Sequence, residues 1–160
     1  MVKNSKNLLI KLILLISIIA LISAFFIEYI LGHQPCNLCI LERIPYFLAI
    51  IVILLNYKFI EFEKFFILFL TIIFLFGTVL SLYHLGIEQG LIQESLVCNL
   101  KSGSNLFSKE EILKQLQEKS VSCKDVTFKM FGLSLTSYNI LISILITFSA
   151  GKIYFNYDKN

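Results

Sequence analysis

Apolar residues gather into four long runs, broken by two short polar interruptions and one long polar segment. The first run extends from Leu8 to about Ile27, after a polar start carrying Lys3 and Lys6. Glu28 and Tyr29 mark its far end, where Glu28 is expected to reach the headgroup region. The second, Ile44 to Asn56, is short of the ~20 residues that a membrane span needs. It comes close to that length if the helix starts near Cys39 or Ile40 and ends at Tyr57. Lys58 to Lys64 is a compact charged turn, Phe65 to Tyr83 a third run, and Phe131 to Tyr154 a fourth. The pattern predicts an all-α integral membrane protein: a four-helix transmembrane bundle forming one membrane domain over residues 1–160. The spans fall near 8–28, 40–57, 65–84 and 131–154, with loops at 29–39 and 85–130 on one side.

A basic start before an apolar run also resembles a secretory signal peptide. The run exceeds the ~7–15 residues of a signal core, and cleavage after Ala24 would need a small residue where Ile22 stands. An uncleaved first span is the expectation. Within the long polar segment, Ser108-Lys109-Glu110-Glu111 fits a capping box. Ile112, Leu113 and Leu116 follow on one helical face, which predicts a short extracytoplasmic amphipathic helix.

Composition strengthens the membrane reading: 57% of residues are hydrophobic and 16% charged. The net charge of +3 is spread over scattered lysines, with no basic stripe suited to nucleic acid. Four spans put both termini and the Lys58–Lys64 turn on one side, with Lys3, Lys6, Lys11, Lys58, Lys64, Lys152 and Lys159. Lysine and arginine near span ends mark the cytoplasmic face, so both termini are expected there. Cys36, Cys39, Cys98 and Cys123 then all face the extracytoplasmic side, where disulfides persist.

Cys36 and Cys39 lie in Gln34-Pro35-Cys36-Asn37-Leu38-Cys39-Ile40-Leu41-Glu42-Arg43, where the chain passes from one span to the next. A helix starting here turns its unpaired N–H groups toward the sulfurs, and Arg43 follows Cys39 by one turn. Both features favour a thiolate, the species that attacks disulfides. A structural C-x-x-C bridge would close too small a loop to stabilise much. A four-cysteine zinc site would normally use two close pairs, and Cys98 and Cys123 are widely separated. No metal site is expected. Cys98 and Cys123 could form a plain loop disulfide, or exchange electrons with the first pair by thiol–disulfide exchange. Arg43 could instead snorkel to the headgroups with Glu42 paired to it. His84 ends the third run as either an interfacial residue or a proton relay.

The stretch from Gln34 to Arg43 resembles the signature of the DsbB family, bacterial membrane thiol oxidases. The likeness continues through Tyr83-His84, Gly86-Ile87-Glu88-Gln89, the Cys98 and Cys123 segment, Phe131-Gly132-Leu133-Ser134-Leu135 and Tyr138-Asn139. It implies an inner-membrane enzyme that reoxidises a DsbA-like periplasmic thioredoxin-fold oxidase and passes electrons to a quinone, ubiquinone or menaquinone. By position, Cys98 would form the mixed disulfide with the partner, and Cys123 would resolve it and exchange with Cys36. Cys39 would sit against the quinone ring beside Arg43, and His84 falls near the family's histidine-bearing region. The chain has no tryptophan, so aromatic packing around a quinone would come from Phe and Tyr. In vitamin K epoxide reductase-like proteins the C-x-x-C follows the loop cysteines, an order this chain does not have. The reading from a different class is a non-enzymatic membrane assembly factor whose two disulfides stiffen its outer loops.

Overall fold

A computed structural model describes residues 2–93, 123–124, 129–130 and 132–157, with side chains placed from Lys6 onward except that of Met130. Cys98 and the expected amphipathic helix after Ser108 lie outside the described residues. The architecture is a bundle of helices, four of them long and apolar enough to cross a membrane: Lys6–Tyr29, Asn37–Lys58, Ile60–Glu88 and Leu135–Phe155.

The first helix, α1 (Val2–Tyr29), runs unbroken and stops before Gly32, whose φ of 71° turns the chain. The second span is built from two pieces, α2 (Asn37–Leu41) and α3 (Ile44–Lys58). Its break has a simple cause: Pro45 has no N–H to offer the Leu41 carbonyl, so the ladder lapses at Glu42 and Arg43. A single 3-10 turn, Ile60–Phe62, leads into α4 (Glu63–Glu88). That helix continues one turn beyond His84, which therefore sits inside the span and not at its end.

The last helix, α5 (Leu135–Phe155), opens later than the apolar pattern suggests. Lys129–Met130 (β1) pairs antiparallel with Leu133–Ser134 (β2), Lys129 opposite Ser134 and Met130 opposite Leu133. Gly132, at φ 83°, supplies the left-handed residue of this tight turn. Ser134 then caps α5, its Oγ accepting from the Ser137 N–H at 3.4 Å.

Helix α4 packs along α5, and α3 packs against both α1 and α4. Gly77 on α4 lets α3 come close: a Cβ there would lie 3.0 Å from Pro45 Cγ. The core contains Ile10, Ile13, Ala49, Ile53, Phe74, Ile146 and Ala150. Phe47, Phe76, Leu145 and Phe148 point outward, as expected of side chains that meet lipid. At one end Lys6 reaches Glu63 at 2.6 Å and Tyr157 donates to the same carboxylate at 3.1 Å. This clasp gathers the start of α1, the start of α4 and the end of α5. The two cysteines of the C-x-x-C stretch, the last turns of α4 and the first turn of α5 share the opposite end.

Candidate active site

Cys36 is the N-cap of α2: its Sγ accepts from the Cys39 N–H at 3.2 Å. This places both sulfurs at the first turn, 2.6 Å apart. A bond of about 2.05 Å between them needs almost no backbone movement. The two thiols face different surroundings. Cys36 is 6% exposed and belongs to a buried cluster with Leu38, Ile87 and Cys123. Cys39 is half-buried and lines a cleft of about 520 Å³ between α1, the α2–α3 junction and α5.

Behind Cys36 lies a polar network drawn from three helices. His84 is 1% exposed, with Nε2 3.5 Å from Cys36 Sγ and Nδ1 2.8 Å from Glu42 Oε1. A carboxylate can only accept, so Nδ1 is the donor to Glu42, which in the neutral imidazole leaves the Nε2 lone pair facing the thiol. Glu88, one turn on, brings Oε1 to 3.8 Å from Nε2 and accepts from Thr136 Oγ1 at 2.6 Å. Asn139 donates to Glu42 Oε2 at 2.9 Å and to Ser81 Oγ at 2.8 Å, while Tyr46 donates its hydroxyl to Asn139 Oδ1.

Several expectations change here. Glu42 does not pair with Arg43 at the surface; it is buried and bound to His84 and Asn139. Arg43 turns to Glu28, Nη1 to Oε2 at 2.5 Å, and lies over the Phe25 ring at 5.2 Å. Glu28, expected at the headgroups, instead holds Arg43 beside the cleft. A stabilised thiolate at Cys36 is not what these surroundings produce. Contact with the Cys39 sulfur and burial push the Cys36 thiol well above its ordinary value, with His84 pulling the other way.

The cleft is mostly apolar, walled by Ile16, Ile19, Ala20, Leu21 and Ile142, with Cys39, Glu42, Arg43, Tyr138 and Asn139 converging on it. Such a mixture suits a flat, apolar ligand with a few polar atoms. Arg43 has five N–H donors and spends one on Glu28, leaving others for an acceptor oxygen in the cleft. His84 does not line this cleft; its ring nitrogens are taken by Cys36 and Glu42. The Cys36, Cys39 and His84 donor atoms do converge within 4.8 Å. Two thiolates on one tetrahedral zinc would stand roughly 3.8 Å apart, so the closer sulfurs are placed to bond with each other.

Residues 6–152 match the family described as disulfide bond formation protein DsbB. The chain belongs to the DsbB family. A protein of Rickettsia prowazekii (strain Madrid E) described as uncharacterized protein RP370 is 32% identical over 162 residues, covering 99% of this chain and 94% of that one. No solved structure matches the chain. Membership joins the four apolar helices to disulfide bond formation by a membrane protein.

The Glu42, Ser81, Glu88, Thr136 and Asn139 contributions to this DsbB-family site were not read from the sequence. A signal was present. Ser81, His84 and Glu88 recur at spacings of three and four on α4, and Thr136, Asn139 and Ser143 do so on α5. Each set is a polar stripe on one face of an apolar helix, and inside a membrane such stripes turn toward one another.

Proposed function

We propose that the chain is a membrane thiol:quinone oxidoreductase that reoxidises a DsbA-like periplasmic dithiol oxidase. The observation that carries this reading is the division of the C-x-x-C pair. Cys36 faces the buried cluster that holds Cys123, and Cys39 faces an apolar cleft beside Arg43. In this scheme the Cys98 and Cys123 pair takes electrons from the partner, with Cys98 forming the mixed disulfide. Cys123 then exchanges with Cys36, and Cys39 lies at the acceptor. Each exchange is an attack of one thiolate on a disulfide sulfur.

The cleft residues fit a quinone: aliphatic walls for the ring and tail, Arg43 for a carbonyl oxygen, Cys39 at the reacting position. When bound, ubiquinone or menaquinone would supply an acceptor for two electrons and two protons. Arg43 then both binds and orients, because the Glu28 ion pair and the Phe25 ring fix its guanidinium. The site belongs in the inner membrane with both termini cytoplasmic and all four cysteines periplasmic, in keeping with the lysine distribution along the chain.

The deciding experiment supplies the purified full chain with a reduced thioredoxin-like dithiol protein, with and without a ubiquinone or menaquinone analogue, and counts partner thiols. Loss of thiols over many turnovers is expected only with quinone. A single oxidation that stops despite either quinone would sink the reading and favour a non-enzymatic assembly factor.

A further inference from the structure

Oxidation of the Cys36–Cys39 pair releases two electrons and two protons as the S–S bond forms. On the reading above, both electrons leave through Cys39, which lines the cleft. The Cys39 proton has the same exit. The Cys36 proton does not: that sulfur is buried away from the cleft, among Leu38, Ile87 and Cys123.

We propose that His84 and Glu42 carry the Cys36 proton to the cleft, so that protons and electrons leave this thiol by different routes. The geometry supplies each step. His84 Nε2 faces the Sγ–H at 3.5 Å, and Nδ1–H faces Glu42 Oε1 at 2.8 Å. Glu42 and Thr136 both contact His84 and line the cleft, and of the two Glu42 is the carboxylate that can take up and release a proton. His84 takes the thiol proton at Nε2, and Nδ1 passes its own to Glu42, which yields it to the acceptor once the two electrons have arrived there; the Cys39 proton is the second that the quinol needs. The Cys36 thiolate bonds to the Cys39 sulfur as the two electrons pass to the acceptor.

His84 is surrounded by groups that tune it for this task. Cys36 and Cys39 face it from α2, Glu42 from the α2–α3 junction, Glu88 from its own helix and Thr136 from α5. Asn139 orients Glu42 and is itself held by Ser81 and Tyr46. The Arg43–Glu28 pair stands apart from this chain of contacts, at the cleft. A thiol whose ionisation is disfavoured by its surroundings, as at Cys36, requires such a base before it can attack.

The test rests on the oxidase reading but does not depend on turnover. In the fully reduced full chain without quinone, iodoacetamide alkylation of Cys36 is followed by mass spectrometry from mildly acidic to alkaline pH. His84→Gln is expected to slow Cys36 alkylation at neutral pH about tenfold or more and to move its onset to higher pH. Glu42→Gln shifts it in the same direction but less, and stands in if His84→Gln does not accumulate. With quinone and partner present, Glu42→Gln also slows turnover and enlarges the solvent deuterium effect. Unchanged Cys36 profiles in the variants overturn the proposal whatever the turnover. Absent quinone-dependent turnover in the wild type instead strikes the oxidase reading, leaving the His84–Cys36 contact to be judged by alkylation.

Discussion

Toward the end where Lys6 meets Glu63 and Tyr157, the helices touch through Ile10, Ile13, Ile53, Leu70, Ile146 and Ala150. At the other end they touch through Glu42, Ser81, His84, Glu88, Thr136 and Asn139. The second span, α4 and α5 are therefore joined in two ways. Lipid tails are as apolar as isoleucine, so the first end gains only from close packing, and its residues are replaceable by others of similar shape. At the second end, removing one polar side chain leaves its neighbours without partners in a medium that offers none.

The sharpest way to break the second end is Asn139→Leu. The change is close in size but strips a donor from Glu42, a partner from Ser81 and an acceptor from Tyr46. At roughly 1 kcal/mol per interhelical hydrogen bond in a membrane, the expected loss is about 3 kcal/mol. Denaturation of the purified protein in bicelles measures it. A loss no larger than that of a surface leucine exchange would show that the network does not hold the helices together.

The contrast also explains what could be read from the sequence. Hydropathy averages over a window, so it finds the apolar spans, and it anticipated four of them where four membrane-length helices stand. The same averaging hides Ser81, Thr136 and Asn139, single polar residues among many apolar ones. Adjacency along the chain offers a surface pair of Glu42 with Arg43 as one alternative. The break at Pro45 leaves the two residues in separate environments, Arg43 toward α1 and Glu42 toward α4 and α5. His84 was visible as a candidate, but its place depends on α4 continuing to Glu88. The closeness of Cys36 to Cys39 at a helix start was legible because it depends on local spacing alone.

For the apolar end the matching change is Ile53→Ala. Ile53 is 2% exposed within the core, and truncation leaves a cavity that tightly packed helices cannot fill. Deleting such a side chain from a core costs about 2–5 kcal/mol when the transfer from water is included. In lipid that transfer part shrinks, so about 1.5–2 kcal/mol is expected. The same denaturation assay checks it, and Cys36 alkylation should stay at the wild-type rate. A changed Cys36 rate would mean that the two ends are mechanically coupled, against the contrast drawn here.

The smallest expected effect separates the ends by pH. Folding raises the Cys36 thiol above its ordinary value through the Cys39 contact and burial. Below the ordinary thiol value of about 8.5, folded and unfolded chains both keep this proton, and Cys36 adds no slope. Above it the unfolded chain loses the proton while the folded chain retains it, so the unfolded state binds fewer protons and stability falls as pH rises. The slope contributed by one such group is at most about 1.4 kcal/mol per pH unit, which gives about 1 kcal/mol over the first alkaline unit. Reduced wild type should therefore lose stability faster than reduced Cys36→Ala across that interval. Oxidation to the Cys36–Cys39 disulfide removes the titrating thiol and should flatten the difference. A slope shared by the reduced wild type and Cys36→Ala would show that the buried end does not hold Cys36 protonated, and the need for a base at His84 would go with it.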